Sequence, residues 1–354
     1  MFGVSVYLQD LEKIEERLAK EYEAGFRSIF SSLHIMEEDA SDYRDKLMRL
    51  GHVAQTLGMS LIMDISEKSL AYLGLSFEDA GKIAELGVTG LRIDYGIGAD
   101  KVALLSHEIP IYLNASTIDE TTLAELISHG ADFEQLEAFH NYYPKTGTGL
   151  SHHFFKSKNQ FLRENGFKIS AFVPGDAGKR QPLYEGLPTL EAHRTLSPYA
   201  GALELLKLGI DHLYVGDPEL APEHMDVWQG LIQGEIHLKG QAVKGIPEAV
   251  QTYLKAGDRN RMDEARDFIR LERSRLLFGN TGIEPEVSLK ETRSIGTITI
   301  DNRQFGRYQG EIMISKKTLV SDARTNTIGQ LYPPFIDMLP FIAGGDPLFI
   351  HLED

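Results

Sequence analysis

The chain contains no cysteine. Disulfides, thiolate nucleophiles and Cys-ligated zinc are therefore excluded. No apolar run approaches the ~18 uninterrupted residues of a membrane span. The start, MFGVSVYLQDLEK, lacks the basic leader and long apolar stretch of a signal peptide. The simplest address is the cytoplasm, with no membrane partner. Positive charge is also scarce: 36 Lys and Arg stand against 52 Asp and Glu, a formal balance of −16. That field repels phosphate backbones and argues against a nucleic-acid partner, while a local basic pocket for one small anion remains open. Several motifs are missing. GDAGKR has too short a gap between Gly175 and Gly178 for a P-loop, and Arg180 stands where Ser or Thr is required. H-E-x-x-H and G-x-S-x-G are absent, and the adjacent His152 and His153 would point apart on a helix. No spacing supports a metal site, and no cofactor is expected.

What is present is a rhythm. A helical stretch ends in Gly and a short apolar run follows, at Gly25, Gly58, Gly87, Gly130, Gly166 and Gly209. Glycine after a helix takes the left-handed conformation cheaply, and the chain then turns into a strand. With FGVSVYL at the start and IPIYLNAS around Ile111, eight strand candidates alternate with helical stretches such as 11–24, 42–57 and 203–208. Alternation implies a parallel sheet with right-handed crossovers. The spacing fits an α/β fold, a (β/α)8 TIM barrel over residues 1–234, in preference to an open doubly wound sheet. A chain of 354 residues has room for a second domain. After Gly234, EIHLK, SIGTITID, YQGEIMIS and PLFIHLE alternate like antiparallel strands, with one helical piece at 262–277. Residues 235–354 thus read as a smaller β-rich domain.

Barrel chemistry sits at the C-terminal ends of the strands. The residues expected there are Tyr7; Ser31 and Ser32, with His34 beyond; Asp64; Asp94 and Tyr95; Asn114; Glu137, His140 and Asn141, followed by Tyr142; and Asp217. Each has a plainer reading. Asp217 before Pro218 fits a helix N-cap. Asp64 and Asp94 could cap the helices that follow, Glu137 could sit in a structural salt bridge, and His140 could be a satisfied structural histidine. Thr117 and Glu120 match a capping box, which frees Asn114 for a pocket role. The seventh loop gathers Lys179, Arg180, His193 and Arg194 in an otherwise acidic chain. Barrel enzymes often bind phosphate near strands seven and eight, and Arg suits phosphate. The plainer reading is a solvated loop, with Thr189 near a helix cap.

FGVSVYL, LEAFHNYYP, GLPTLEAHR, DNRQFGRYQGEIMIS and DARTNTIGQL together resemble a bacterial two-domain family. That family joins a TIM barrel to a cyclophilin-like β domain and includes 6-phospho-N-acetylmuramidase. The resemblance implies a glycoside hydrolase of peptidoglycan recycling. Its substrate would be a phosphorylated amino-sugar disaccharide, N-acetylmuramic acid 6-phosphate linked β-1,4 to N-acetylglucosamine. Such chemistry commonly needs two carboxyl groups. Asp64 and Asp94 are the expected pair, with Glu137 the main rival. Tyr7, Asn114, His140, Asn141, Tyr142 and Asp217 are candidates for holding the sugars, and Arg180, His193 and Arg194 for the phosphate. The rivals are a sugar-phosphate isomerase, epimerase or lyase on the same barrel, and a non-enzymatic binding or surface protein.

Overall fold

The computed structural model describes residues 1–9, 11–33, 40–72, 74–76, 79–93, 96–286 and 291–353. His34, Asp94 and Tyr95 lie outside them. Eight parallel strands close into a barrel in sequence order: β1 (Phe2–Ser5), β2 (Ser28–Ser32), β3 (Ser60–Ile65), β4 (Gly90–Ile93), β5 (Ile111–Asn114), β6 (Leu136–Phe139), β7 (Lys168–Val173) and β8 (His212–Val215). β8 returns to β1 through Phe2↔Leu213 and Val4↔Val215, so no edge is left open. The helix-ending glycines 25, 58, 87, 130, 166 and 209 all have positive φ, between 69° and 109°. Among the described residues no helix is long and apolar enough to cross a membrane.

One local expectation fails beside this barrel. The helix Glu120–Ser128 is capped by Asp119, whose carboxylate accepts the Thr122 amide, and not by Thr117. Thr117 instead donates its hydroxyl to the Asn114 carbonyl and closes the turn after β5.

The chain divides into two units, Met1–Pro198 with Leu205–Met225, and Tyr199–Glu204 with Asp226–Asp354. The second unit is β-rich. It holds β9 (Ile236–Ala242), β10 (Asp258–Arg259), β11 (Phe268–Arg270), β12 (Thr292–Arg293), β13 (Thr297–Asp301), β14 (Ile312–Ser315), β15 (Leu319–Val320), β16 (Thr325–Leu331) and β17 (Pro347–Glu353). Seven of these form one sheet, in the order β10-β17-β9-β16-β13-β14-β11, and β12 pairs with β15. β17 runs parallel to β9, from Leu348↔Ile236 to Glu353↔Gln241, where the alternation pattern suggested only antiparallel strands. Alternation reports which face is buried and carries no information on strand direction.

The helix expected at 262–277 is confined to Ser274–Phe278. Phe268–Arg270 pair with β14 instead, and Arg261–Asp263 and Arg266–Asp267 are exposed contacts between near neighbours in sequence. A helix would have put charges in register at three or four residues. Ile269 is fully buried in β11, and the Arg270 amide donates to Asn260 Oδ1. A longer helix of the unit, Glu248–Ala256, buries Val250, Tyr253 and Leu254.

Candidate active site

Alternate residues of a strand face opposite sides, so one parity of each barrel strand fills the bore. The middle of the bore is apolar. Phe30, Ile62, Phe139, Phe172 and Tyr214 pack there as one cluster. Phe139 stacks on Phe172 with centroids 4.7 Å apart, and Phe30 meets Phe172 edge-on at 5.1 Å. Glycines on other strands make room for such rings. A Cβ on Gly3 would stand 2.2 Å from the Tyr214 ring, and one on Gly90 would stand 2.6 Å from Tyr112.

Two residues further along each strand, the same parity delivers the mouth. Ile62 leads to Asp64, Gly90 to Arg92, Tyr112 to Asn114 and Phe139 to Asn141. Arg92 Nη1 donates to Asp64 Oδ1 at 2.8 Å, and both side chains are buried. Ser32 Oγ donates to the other Asp64 oxygen at 3.3 Å. The second Arg92 nitrogen, Nη2, donates to Asn141 Oδ1. One guanidinium therefore joins β3, β4 and the exit of β6 at the C-terminal end of the barrel. Asn114 is buried beside β6 and accepts the Ser116 amide at 3.0 Å. Arg92 was not foreseen. The available signal was an Arg flanked by Leu91 and Ile93 at the inward parity of a strand, two residues before Asp94.

Arg180 completes the mouth from the seventh loop. Its guanidinium lies 3.9 Å from the centre of the Tyr7 ring and donates to the Tyr142 hydroxyl. Tyr142 rests edge-on against Phe172, on top of the aromatic layer. Among the described residues no carboxylate pairs with the Arg180 guanidinium. Burial pushes the Tyr7 hydroxyl well above its ordinary value and raises that of Tyr142. Both are therefore neutral hydrogen-bonding groups near neutral pH, unsuited to act as phenolate nucleophiles. Among the described residues, no group of three His, Asp or Glu side chains placed to hold a metal includes Tyr7, Ser32, Asp64, Arg92, Asn114, Asn141, Tyr142 or Arg180.

Other expected residues face elsewhere. Glu137 is the second residue of its strand, not the exit, because β6 starts only at Leu136. Its carboxylate accepts from Ser170 Oγ and lies 2.8 Å from Nδ1 of His212, the first residue of β8. It therefore sits below the aromatic layer, toward the N-terminal end of the barrel. His140 has the outward parity. It is fully buried against the helix His152–Glu164, with Nε2 2.7 Å from Asn159 Oδ1 and the ring 4.7 Å from Phe155. Burial lowers its pKa to about 4. His193 is also fully buried.

Arg194 works as a staple. It pairs with Glu191 and donates to the carbonyls of Tyr143, Lys145, Glu185 and Gly186, so it joins the loops after β6 and β7. Thr189 caps no helix: its hydroxyl accepts the Phe172 amide and donates to the Asn141 carbonyl, both at 2.9 Å. Asp217 is likewise no N-cap, since the next helical turn begins at Pro222. Its carboxylate accepts backbone amides of the seventh loop.

The family described as 6-phospho-N-acetylmuramidase, N-terminal, matches residues 2–229. The one described as 6-phospho-N-acetylmuramidase, C-terminal, matches residues 236–350. A conserved protein of unknown function from Enterococcus faecalis is 39% identical, with a TM-score of 0.88 over 100% of this chain and 96% of that one. An uncharacterized B. cereus protein shares the fold at 24% identity, with a TM-score of 0.78 over 99% of this chain and 98% of that one. No curated protein matches the chain.

Proposed function

The chain belongs to the 6-phospho-N-acetylmuramidase family, and from that premise we propose that it hydrolyses N-acetylmuramic acid 6-phosphate linked β-1,4 to N-acetylglucosamine. The products are the phosphorylated sugar acid and free N-acetylglucosamine, and the setting is cytoplasmic recycling of peptidoglycan. Catalysis belongs to the barrel, residues 1–234, and residues 235–354 form the cyclophilin-like domain of the family.

One observation carries the reading. A cation without a carboxylate partner among the described residues, Arg180, is fixed over the same strand ends as the Asp64–Arg92–Asn141 assembly. A partly buried charge without a counter-ion favours an anionic ligand, and a guanidinium matches a phosphate through paired hydrogen bonds. The phosphate on the sugar's C6 arm would meet Arg180, while the glycosidic bond lies over Asp64. Arg194, engaged with Glu191 and four carbonyls, leaves the phosphate to Arg180.

Asp64, ion-paired to Arg92, serves as the ionised carboxylate. Asp94, two residues beyond Arg92 in sequence, is assigned the proton. The anomeric C–O bond breaks as Asp94 protonates the departing oxygen. Asp64 either takes a proton from the attacking water or orients the substrate's 2-acetamido group for internal attack. Asn114, Asn141 and Tyr142 supply hydrogen bonds to hydroxyl, acetamido and lactyl groups.

The test is a panel of 6-phosphorylated and plain disaccharides, read by mass spectrometry. Cleavage of the phosphorylated muramic disaccharide is expected, and its absence would reject the reading. Arg180→Ala should cut kcat/KM on that substrate by ~10–100-fold, the size of one charge-assisted contact. An unchanged value would remove Arg180 from phosphate recognition.

A further inference from the structure

Arg180 is a long side chain on a long loop, and something must hold it over the barrel. The loop runs from Gly175 past Leu187 and carries few apolar anchors: Tyr184 and Leu183 are exposed. Arg194 ties its far part through the Glu185 and Gly186 carbonyls, and the stretch that carries Arg180 is tied by one side chain at the end of the neighbouring strand. Asp217 follows β8, and its carboxylate is fully buried. Oδ2 accepts the Gly175 amide at 2.9 Å and the Leu187 amide at 3.3 Å, at the two ends of the loop. Oδ1 accepts the Arg180 amide itself at 3.1 Å. Lys179 Nζ lies 3.5 Å from Oδ2 and donates to the Gly175 carbonyl. From the exposed side Glu219 adds a weaker tie, to the Gly178 amide at 3.2 Å.

We propose that Asp217 is a positioning residue for anion selectivity: it gathers three amides of the seventh loop so that Arg180 is held over Tyr7 and Tyr142 before substrate arrives. The inference rests on the reading that Arg180 takes the phosphate. A carboxylate that accepts several backbone amides at once fixes a loop more firmly than contacts between neutral groups. The stacking surface of Tyr7 and the hydroxyl of Tyr142 then select one direction for the guanidinium. The affinity of a pre-ordered site carries no further ordering cost at binding, so loosening the loop weakens phosphate capture and leaves the chemical step over Asp64 in place. Asp217 touches no substrate in this scheme, because its oxygens are already occupied.

The experiment is steady-state kinetics of Asp217→Asn, Arg180→Ala and the double variant on the 6-phosphorylated disaccharide. Asp217→Asn should raise KM by ~10-fold with kcat within ~3-fold, and should add little to Arg180→Ala in the double variant. A fall in kcat with KM unchanged, or full additivity of the two substitutions, would overturn the proposal. Wild-type protein inactive on this substrate would instead reject the functional reading on which it rests. Hydrogen exchange on the unliganded wild-type protein gives an answer that does not depend on a folded variant. The Gly175, Arg180 and Leu187 amides should be protected, and exchange at the rate of free peptide would overturn the proposal.

Discussion

Strand β6 serves two polar clusters that lie on opposite sides of the same aromatic layer. At its start, Glu137 joins Ser170 and His212. Beyond its end, Asn141 joins Arg92 and Asp64. Both clusters contain a buried carboxylate, a nitrogen cation or potential cation, and a hydroxyl. They differ in what surrounds them. The lower cluster closes on itself within β6, β7 and β8, and nearby Ser60 and Tyr214 both donate to Ser28 at 2.9 Å. The upper one faces the loops, next to a cation with no carboxylate partner among the described residues. Residue type alone does not make an acid catalytic. Its level along the bore decides whether a substrate can reach it.

The largest expected effect contrasts the two acids directly. Asp64→Asn should lower kcat on the 6-phosphorylated disaccharide by ~10³-fold, within the range for losing a positioned acid or base. Its thermal midpoint should also fall, because the buried Asp64–Arg92 ion pair is lost. Turnover close to that of the wild type would move the chemistry elsewhere.

His140, the residue just past the end of β6, sharpens the comparison. The residue stays neutral in the folded chain down to about pH 4, whereas an unfolded histidine titrates near 6.5. The unfolded state therefore binds more protons across that window. The contribution is complete above pH 6.5 and disappears as pH falls toward 4, ~3 kcal/mol in all. Between pH 4 and pH 7 the stability of wild type in denaturant melts should change by this much more than that of His140→Gln. Identical changes would mean that the imidazole is protonated in place.

Gly90→Ala tests the layer between the clusters. Its new methyl meets the Tyr112 ring and should cost ~1–3 kcal/mol in a denaturant melt. KM should be unaffected if the layer is only a support. The smallest effect should come from Glu137→Gln. Turnover should stay within ~3-fold of wild type, although the midpoint should fall. A loss of two orders of magnitude would make the lower cluster part of the reaction and break the comparison.

Much of the barrel was legible because helix-ending glycines are punctuation with a physical cause, and each of those six residues adopts positive φ. Position along a strand was harder to read. EQLEAFHNYYP showed a cluster of polar groups but not where pairing begins, so Glu137 was expected at the wrong end of the bore. Parity would have separated His140 from Asn141 once Phe139 was placed inside. Arg92 escaped notice because an Arg between two aliphatic residues looks like an interruption of a strand. The loop carboxylates and Arg194 act through backbone amides and carbonyls, partners that a sequence does not mark. In the second unit, salt-bridging residues at 261–267 imitated a helix although their pairs were too close in sequence.

The stacked rings across the bore also bear on how ligands reach the mouth. Among the described residues, Phe30, Phe139, Phe172 and Tyr214 fill the barrel at mid-height, which leaves the C-terminal mouth as the side from which a ligand reaches Asp64. On the proposed reading, the disaccharide, the water that cleaves it and both resulting sugars would pass the same rim. On that reading, the fragment held by Arg180 would be the last to leave.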